Sequence, residues 1–216
     1  MRVALDRKRF GPWALVTGAS SGIGKEFARQ IAASGINVVL VARRESLLDE
    51  VGQGLAKGFN VQYRNVVADL SHEGFLDKLA EATNDLDIGL VVSNAGTGNP
   101  GEFLKLDRQL HQTTLRVSTL AHLDITHHFG AKLVERRRGG LILAGAMGAE
   151  NGVPRMANDG AANKKANEIK RGAISTASPG WESSSNRVSK RLDLRKASWL
   201  PSLQLARKKS RKAYQL

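Results

Sequence analysis

The chain has 216 residues, of which 41% are hydrophobic and 25% are charged. This composition is that of a folded globular protein and excludes fibrous and wholly disordered classes. The sequence has no cysteine, which excludes disulfides and thiolate metal sites, and we predict no metal site. It contains no apolar run long enough to span a membrane, and residues 1–10 lack the apolar core of a secretory signal, so we expect a cytoplasmic protein.

The positive charge of the chain is concentrated at its C-terminal end. Residues 1–154 carry 18 Lys and Arg and 16 Asp and Glu, a net charge of +2. Residues 155–216 carry 15 basic and 4 acidic residues, a net charge of +11. Two different compositions are therefore joined in one chain.

Short apolar runs alternate with amphipathic segments between residues 13 and 144, a pattern typical of βαβ units around a parallel sheet. Predicted strands cover 13–16, 37–42, 61–67, 88–92 and 141–144, and predicted helices cover 26–33, 45–55, 75–82 and 106–135. Five strands with four crossovers predict an α/β fold with an open, doubly wound parallel sheet of the Rossmann type.

The alternating pattern ends after Pro154. A helix over 161–171 would have only a thin apolar stripe, and from Ser178 onward Ser, Lys and Arg dominate without a helix or strand period. We therefore predict a Rossmann-type domain at 1–160, in which the C-terminal part of the fold is incomplete, followed by a basic, poorly ordered segment at 161–216.

A glycine-rich stretch, 17–24, lies between the first predicted strand and the first predicted helix. Gly18 permits a sharp turn, Gly22 lets the backbone approach a pyrophosphate, and Gly24 allows the helix to pack closely on the sheet. The helix N-terminus offers free N–H groups to phosphates, and two serines add hydroxyl donors. A turn that binds nothing is the alternative interpretation. The predicted cofactor contacts in this stretch are Gly18, Ser20, Ser21, Gly22, Ile23 and Gly24.

The spacing Thr-Gly-x-x-x-Gly-x-Gly resembles the short-chain dehydrogenase/reductase family, whose members are NAD(P)-dependent oxidoreductases. Two further motifs follow in the family's order. Asp69-Leu70, after the third strand, is similar to the family's contact to the adenine ring. Asn94-Ala95-Gly96, after the fourth strand, is similar to its motif that braces the sheet and approaches the cofactor. The resemblance implies a nicotinamide dinucleotide partner, a small carbonyl or alcohol substrate, and a homo-oligomer.

Arg43 and Arg44 follow the second predicted strand, where Rossmann sites for NAD carry an acidic residue that holds the ribose 2′-hydroxyl. A guanidinium offers a planar set of donors to a 2′-phosphate, which a carboxylate would repel. The sequence therefore favours NADP(H) as the cofactor. Two solvated surface charges are the alternative.

The proton-donating residues that the resemblance implies are not found at their places. The family uses a Tyr, a Lys four residues further on, and a Ser that hydrogen-bonds the substrate. Ala146 stands at the Ser position and Asp159 near the Tyr position, while Lys164 follows Asp159 by five residues. The segment 113–120 also lacks the structural Asn of the family's proton relay. We assign no catalytic residue, and Asp159 and Lys164 are the candidates.

The segment after Lys164 is too short for the family's fold. Ser178-Pro179-Gly180 resembles the family's Pro-Gly loop, but its proline follows Lys164 by only 15 residues, too few for the intervening helix and strand. A shifted reading frame or a deletion near residue 160 would produce such a change. We therefore expect a family member that is truncated or altered beyond about residue 160.

Three functions remain open. The chain is an oxidoreductase that transfers hydride between NADP(H) and a ketone or secondary alcohol, or an inactive descendant that binds nucleotide, or a nonspecific nucleic-acid binder acting through its basic end. The basic end lacks the interleaved aromatic residues of a base-stacking surface, so nucleic acid is the least expected partner.

Overall fold

A computed structural model describes residues 5–145 and 155–165 of the chain. The described residues form a five-stranded parallel sheet in the order β3-β2-β1-β4-β5, which confirms the predicted doubly wound sheet. Ala146 and the basic residues from 166 onward lie outside the described residues, as does the predicted Pro-Gly loop.

Strands and helices alternate along the described chain, with a 3₁₀ turn and a π-helical turn between the fourth and fifth strands. The strands are β1 (Trp13–Thr17), β2 (Asn37–Ala42), β3 (Tyr63–Val67), β4 (Ile88–Ser93) and β5 (Gly140–Leu143). The helices are α1 (Arg7–Phe10), α2 (Gly22–Ala32), α3 (Glu45–Phe59), α4 (Phe75–Ala82), α5 (Arg108–Leu115) and α6 (Ala121–Glu135). The 3₁₀ turn is Phe103–Lys105, the π-helical turn is Arg116–Leu120, and residues 157–165 are also helical.

Each face of the sheet has its own apolar core. Successive strand residues point to opposite faces, so Val16 of β1 belongs to one core and Leu15 to the other. The first core contains Ile31 of α2 and Leu48 of α3, and the second contains Phe129 of α6. Both faces of the sheet are thus covered by helices, as the apolar strands require.

The strand order places a crevice at the end of strand β1. This strand pairs in parallel with β2 on one side and with β4 on the other, so the loops that leave β1 and β4 diverge to opposite faces. Open α/β sheets bind ligands at such a switch point, outside the carboxyl ends of the strands. The fold therefore brings the loops after β1 to β4 to one edge.

Three predicted helices have different bounds in the structure, and the one predicted over 45–55 extends to Phe59. The first helix begins at Gly22 and not at residue 26. The prediction started it too late because its first turn contains glycines, which have a low helix propensity. The predicted helix 106–135 begins after Asp107, whose carboxylate caps it by accepting a hydrogen bond of 2.7 Å from Gln109 N. It is also interrupted by the π-helical turn, which apolar periodicity does not detect.

The helical segment 157–165 packs against the sheet domain. Ala162 is fully buried, and its carbonyl accepts a hydrogen bond of 3.0 Å from the hydroxyl of Thr119. Residues on both sides of position 160, Asp159 and Ala162, are therefore buried. Among the described residues, none of the helices combines the length and apolar character that crossing a membrane requires.

Candidate functional site

A cavity of about 380 Å³ lies at the carboxyl ends of β1 to β4. All the predicted cofactor contacts line it except Gly22 and Gly24. Its lining residues come from five segments. They are Gly18, Ser20, Ser21 and Ile23 after β1; Ala42 at the end of β2, with Arg43 and Arg44 after it; Ala68, Asp69 and Leu70 after β3; Asn94, Ala95, Gly96 and Thr97 after β4; and Thr113 of α5 with Val117 of the π-helical turn.

The three glycines of the loop after β1 are suited to their positions for different structural reasons. Gly18 has a φ of +67° and turns the chain away from the strand. A Cβ added at Gly24 would lie 2.2 Å from the carbonyl oxygen of Gly18 and 2.7 Å from Asn94 Nδ2, so only glycine fits there. Gly22 has a φ of +55°, and a Cβ added to it would meet no atom within 4 Å. The backbone at Gly22 is therefore open to an approaching group.

Thr17, the last residue of β1, fixes the wall of the cavity. Its buried hydroxyl oxygen accepts hydrogen bonds of 2.9 Å from the backbone N–H groups of both Asn94 and Ala95. In return, Asn94 Nδ2 donates to the Thr17 carbonyl at 3.1 Å. These bonds join the ends of β1 and β4. The sequence contains this threonine at the start of the glycine-rich stretch, but the pattern gave no sign of its role.

The N-terminus of helix α2 opens toward the cavity. Ser21 is the N-cap residue, its hydroxyl makes no capping hydrogen bond, and the first turn contains no acidic residue. The first N–H groups of the helix therefore keep their partial positive charge. With the Ser20 hydroxyl on the same wall, this edge of the cavity suits an anionic group such as a phosphate.

Two exposed cations stand at the end of β2. The Arg43 side chain is 72% exposed, with its Nη1 atom 4.0 Å from Asp69 Oδ2. Arg44 is exposed at the start of α3. Burial raises the pKa of the Asp69 carboxyl, but its two hydrogen bonds from Ser71 and the nearby Arg43 outweigh burial and hold that pKa below its usual value. This corner of the cavity thus presents two guanidinium groups beside an oriented carboxylate.

The two catalytic candidates do not line this cavity. Asp159 is 5% exposed, and its Oδ1 atom has no hydrogen-bond partner among the described residues. It lines a separate cavity of about 470 Å³, together with Phe103 and Met156. Lys164 is exposed and lines neither cavity. The structure therefore does not bring Asp159 or Lys164 together with the glycine-rich loop.

Ser118, in the π-helical turn, occupies the helix where the sequence lacks the family's structural Asn. Its buried hydroxyl lies 3.3 Å from both the N–H and the carbonyl oxygen of Thr97. The turn also directs Val117 into the cavity wall. Sequence reasoning missed these residues because a π-helical turn changes which side chains face the sheet.

Among the described residues, no three His, Asp or Glu side chains lie close enough together to hold a metal ion. A doubly wound parallel sheet with a glycine-rich loop and a cavity at its switch point defines an α/β domain of the dinucleotide-binding class. The family described as short chain dehydrogenase matches residues 12–172. The chain belongs to the short chain dehydrogenase family.

Individual relatives are similar over the same region. A 7beta-hydroxysteroid dehydrogenase of Clostridium sardiniense is 32% identical over 148 residues, which are 68% of this chain and 57% of that protein. A very-long-chain 3-oxoacyl-CoA reductase of Pyricularia oryzae is 36% identical over 143 residues, which are 64% of this chain and 43% of that protein. The chain spans about half the length of these relatives.

A solved structure shares the fold. The short-chain dehydrogenase from Sphingobium yanoikuyae in complex with NADPH superposes with a TM-score of 0.74 and 26% sequence identity. The similarity covers 78% of this chain and 67% of that one.

Proposed function

We propose that the chain binds NADP(H) in the 380 Å³ cavity, and that its reaction by descent is hydride transfer between NADP(H) and a ketone or secondary alcohol. The observation that carries the cofactor choice is the pair Arg43 and Arg44 on the cavity wall at the end of β2. A dinucleotide that carries an additional 2′-phosphate would gain charge-assisted hydrogen bonds from these side chains, each worth roughly 1.5–3 kcal/mol.

The residues of the cavity fit the parts of such a ligand. The N-terminus of α2 and the Ser20 and Ser21 hydroxyls would hold the pyrophosphate, and the carboxylate of Asp69 would accept a hydrogen bond from the adenine. The backbone of 94–97 would form the wall toward the nicotinamide. When bound, the nicotinamide would supply or accept the hydride. The NADPH-bound relative from Sphingobium yanoikuyae supports the same assignment by analogy.

We propose that the reductase activity of this chain is weak or absent. Reduction of a carbonyl needs a group that donates a proton to the developing alkoxide. The carboxyl of Asp159 lines a different cavity, and Lys164 is exposed. An inactive, nucleotide-binding descendant of the family is therefore the second candidate, and the position of Asp159 favours it.

We also propose a division of the chain. The nucleotide-binding domain comprises the first 160 residues together with the rest of the helical segment 157–165, which is packed on it through Ala162. The basic segment follows. A cysteine-free sequence with a nicotinamide cofactor fits a reducing cytoplasm, which is the location that we propose.

A titration of the full chain with NADPH and NADH, followed by fluorescence, tests the cofactor proposal. We expect tighter binding of NADPH and expect Arg43→Glu to weaken NADPH binding at least tenfold while changing NADH binding little. Lys78→Glu, an exposed charge reversal on α4, is the matched control and should change neither affinity. Equal affinities of the unmodified chain for the two dinucleotides would overturn the proposal.

A further inference from the structure

A buried histidine lies directly behind the cavity wall. His122, on α6, is 2% exposed, and Ser93, the last residue of β4, is 1% exposed. The Ser93 hydroxyl oxygen and His122 Nδ1 are 2.6 Å apart, although the two residues are 29 positions apart in the chain. Because Asn94 and Ala95 follow Ser93 immediately and line the cavity, this contact lies one peptide unit from the candidate site.

The protonation state of the ring follows from its surroundings. Burial lowers the pKa of His122 to about 4, opposed by a hydrogen bond with the Ala95 backbone that raises it. The imidazole is therefore neutral at pH 7, with one donor and one acceptor nitrogen. A backbone group that raises a histidine pKa is a carbonyl that accepts from the ring N–H. The ring therefore contacts Ser93 through Nδ1 and also interacts with the backbone of Ala95.

We infer that His122 is a positioning residue for the nucleotide site. Through Ser93 and Ala95 it fixes the direction in which the chain leaves strand β4 and forms the cavity wall at 94–97. These two interactions hold Ser93, at the end of β4, and Ala95, in the wall segment, and an apolar side chain of similar size would make neither. Thr17 holds the same segment from the β1 side. The wall is thus fixed from both sides, by β1 and by α6.

Burying an imidazole costs free energy unless its nitrogens are hydrogen-bonded, and Nδ1 of His122 has Ser93 as its partner. Among the other inward positions of α6, Ile125 and Phe129 are apolar and 1% and 2% exposed, whereas Thr126 is polar and 8% exposed. A leucine at 122 would fill the same core at no desolvation cost. The hydrogen bond to Ser93 is therefore the contribution that a leucine could not make.

The first test measures the wall in the nucleotide-free full chain, so that it does not depend on the proposed function. Amide hydrogen exchange is recorded at residues 94–97 for the unmodified protein, for His122→Leu and for Ile125→Ala. Ile125→Ala is the control, because it removes buried volume from the same helix three residues further along. We expect exchange at 94–97 to accelerate about tenfold in His122→Leu and to stay unchanged in Ile125→Ala once global stability is accounted for. If the two variants accelerated exchange at 94–97 equally, His122 would act only as a core residue, and the inference would be overturned.

The second test measures NADPH affinity and rests on the proposed function. His122→Leu should weaken NADPH binding about tenfold, His122→Asn should recover part of the loss because its amide can still hydrogen-bond to Ser93, and Ile125→Ala should bind normally. Ser93→Ala in the His122→Leu background should add no further loss. If the unmodified chain binds no NADPH, the proposed function fails, and the exchange measurement alone decides on His122. Normal NADPH binding by His122→Leu would contradict the inference.

Discussion

The hydroxyl oxygen of Thr17 accepts a hydrogen bond of 2.9 Å from the backbone N–H of Asn94, which lies 77 positions further along the chain. The same oxygen accepts a second bond of 2.9 Å from Ala95 N. One buried side chain thus satisfies two backbone donors at the point where β4 ends. The geometry of the cavity wall depends on this side chain as much as on the glycine-rich loop beside it.

Thr17→Val removes this acceptor while keeping the shape of the side chain. Two backbone N–H groups then lose their partner, at a cost of about 1–3 kcal/mol each. We expect the free energy of unfolding, measured by urea denaturation, to fall by several kcal/mol and NADPH binding to weaken. Thr17→Ser keeps the hydroxyl and should retain most of both. A Thr17→Val protein with unchanged stability would contradict the geometry.

Gly24→Ala tests the packing of α2 on the loop before it. The new Cβ would lie 2.2 Å from the Gly18 carbonyl oxygen, so the helix and the loop must separate. We expect a loss of about 1–3 kcal/mol in the free energy of unfolding, together with weaker NADPH binding. Gly54→Ala, in α3, is the control: its Cβ would meet no atom within 4 Å, and alanine should raise stability by about 0.5–1 kcal/mol. In thermal denaturation, Gly24→Ala should therefore lower the Tm and Gly54→Ala should raise it.

The stability of the protein should fall as the pH drops from about 6.5 to 4, in part because of His122. Burial lowers the pKa of this residue in the folded chain to about 4, whereas an unfolded histidine titrates near 6.5. Between these values the unfolded state binds more protons than the folded state, so the free energy of unfolding decreases as the pH falls. The contribution of His122 to this decrease is up to about 3 kcal/mol. His122→Leu should lose correspondingly less over this interval. Parallel pH profiles of the two proteins in urea denaturation would show that His122 is not the group responsible.

Reductase activity should be low. The full chain with NADPH, assayed on a panel of ketones by absorbance, should turn over about 10²–10⁴ times more slowly than expected with a poised proton donor. Asp159→Asn should change neither this rate nor NADPH affinity, because Asp159 does not line the nucleotide cavity. Robust turnover that disappears in Asp159→Asn would identify Asp159 as the proton donor and reject this prediction.

The fold could be predicted from local patterns because each pattern has a local cause. An apolar run such as 37–42 forms a strand buried on both faces, and the glycines of 17–24 form the turn into the next helix. The positions of Arg43 and Asp69 at the cavity follow from the same logic, since each comes directly after a strand and parallel strands end at one edge. Local patterns were insufficient at the start of α2 and at the π-helical turn, where glycine and an irregular turn hide the helix.

The sequence by itself determined the sheet, the glycine-rich loop and the two arginines at the end of β2, because these depend on residues within one βα unit. Only the tertiary structure decided which side chains stabilise the cavity from behind. Thr17 bonds to Asn94, and Ser93 to His122, across 77 and 29 positions of the chain. Such contacts depend on how α6 packs on β4 and how β1 pairs with β4, and neither spacing nor composition encodes them. The same packing puts Asp159 in a separate cavity, since the helical segment 157–165 is held on the domain by Thr119.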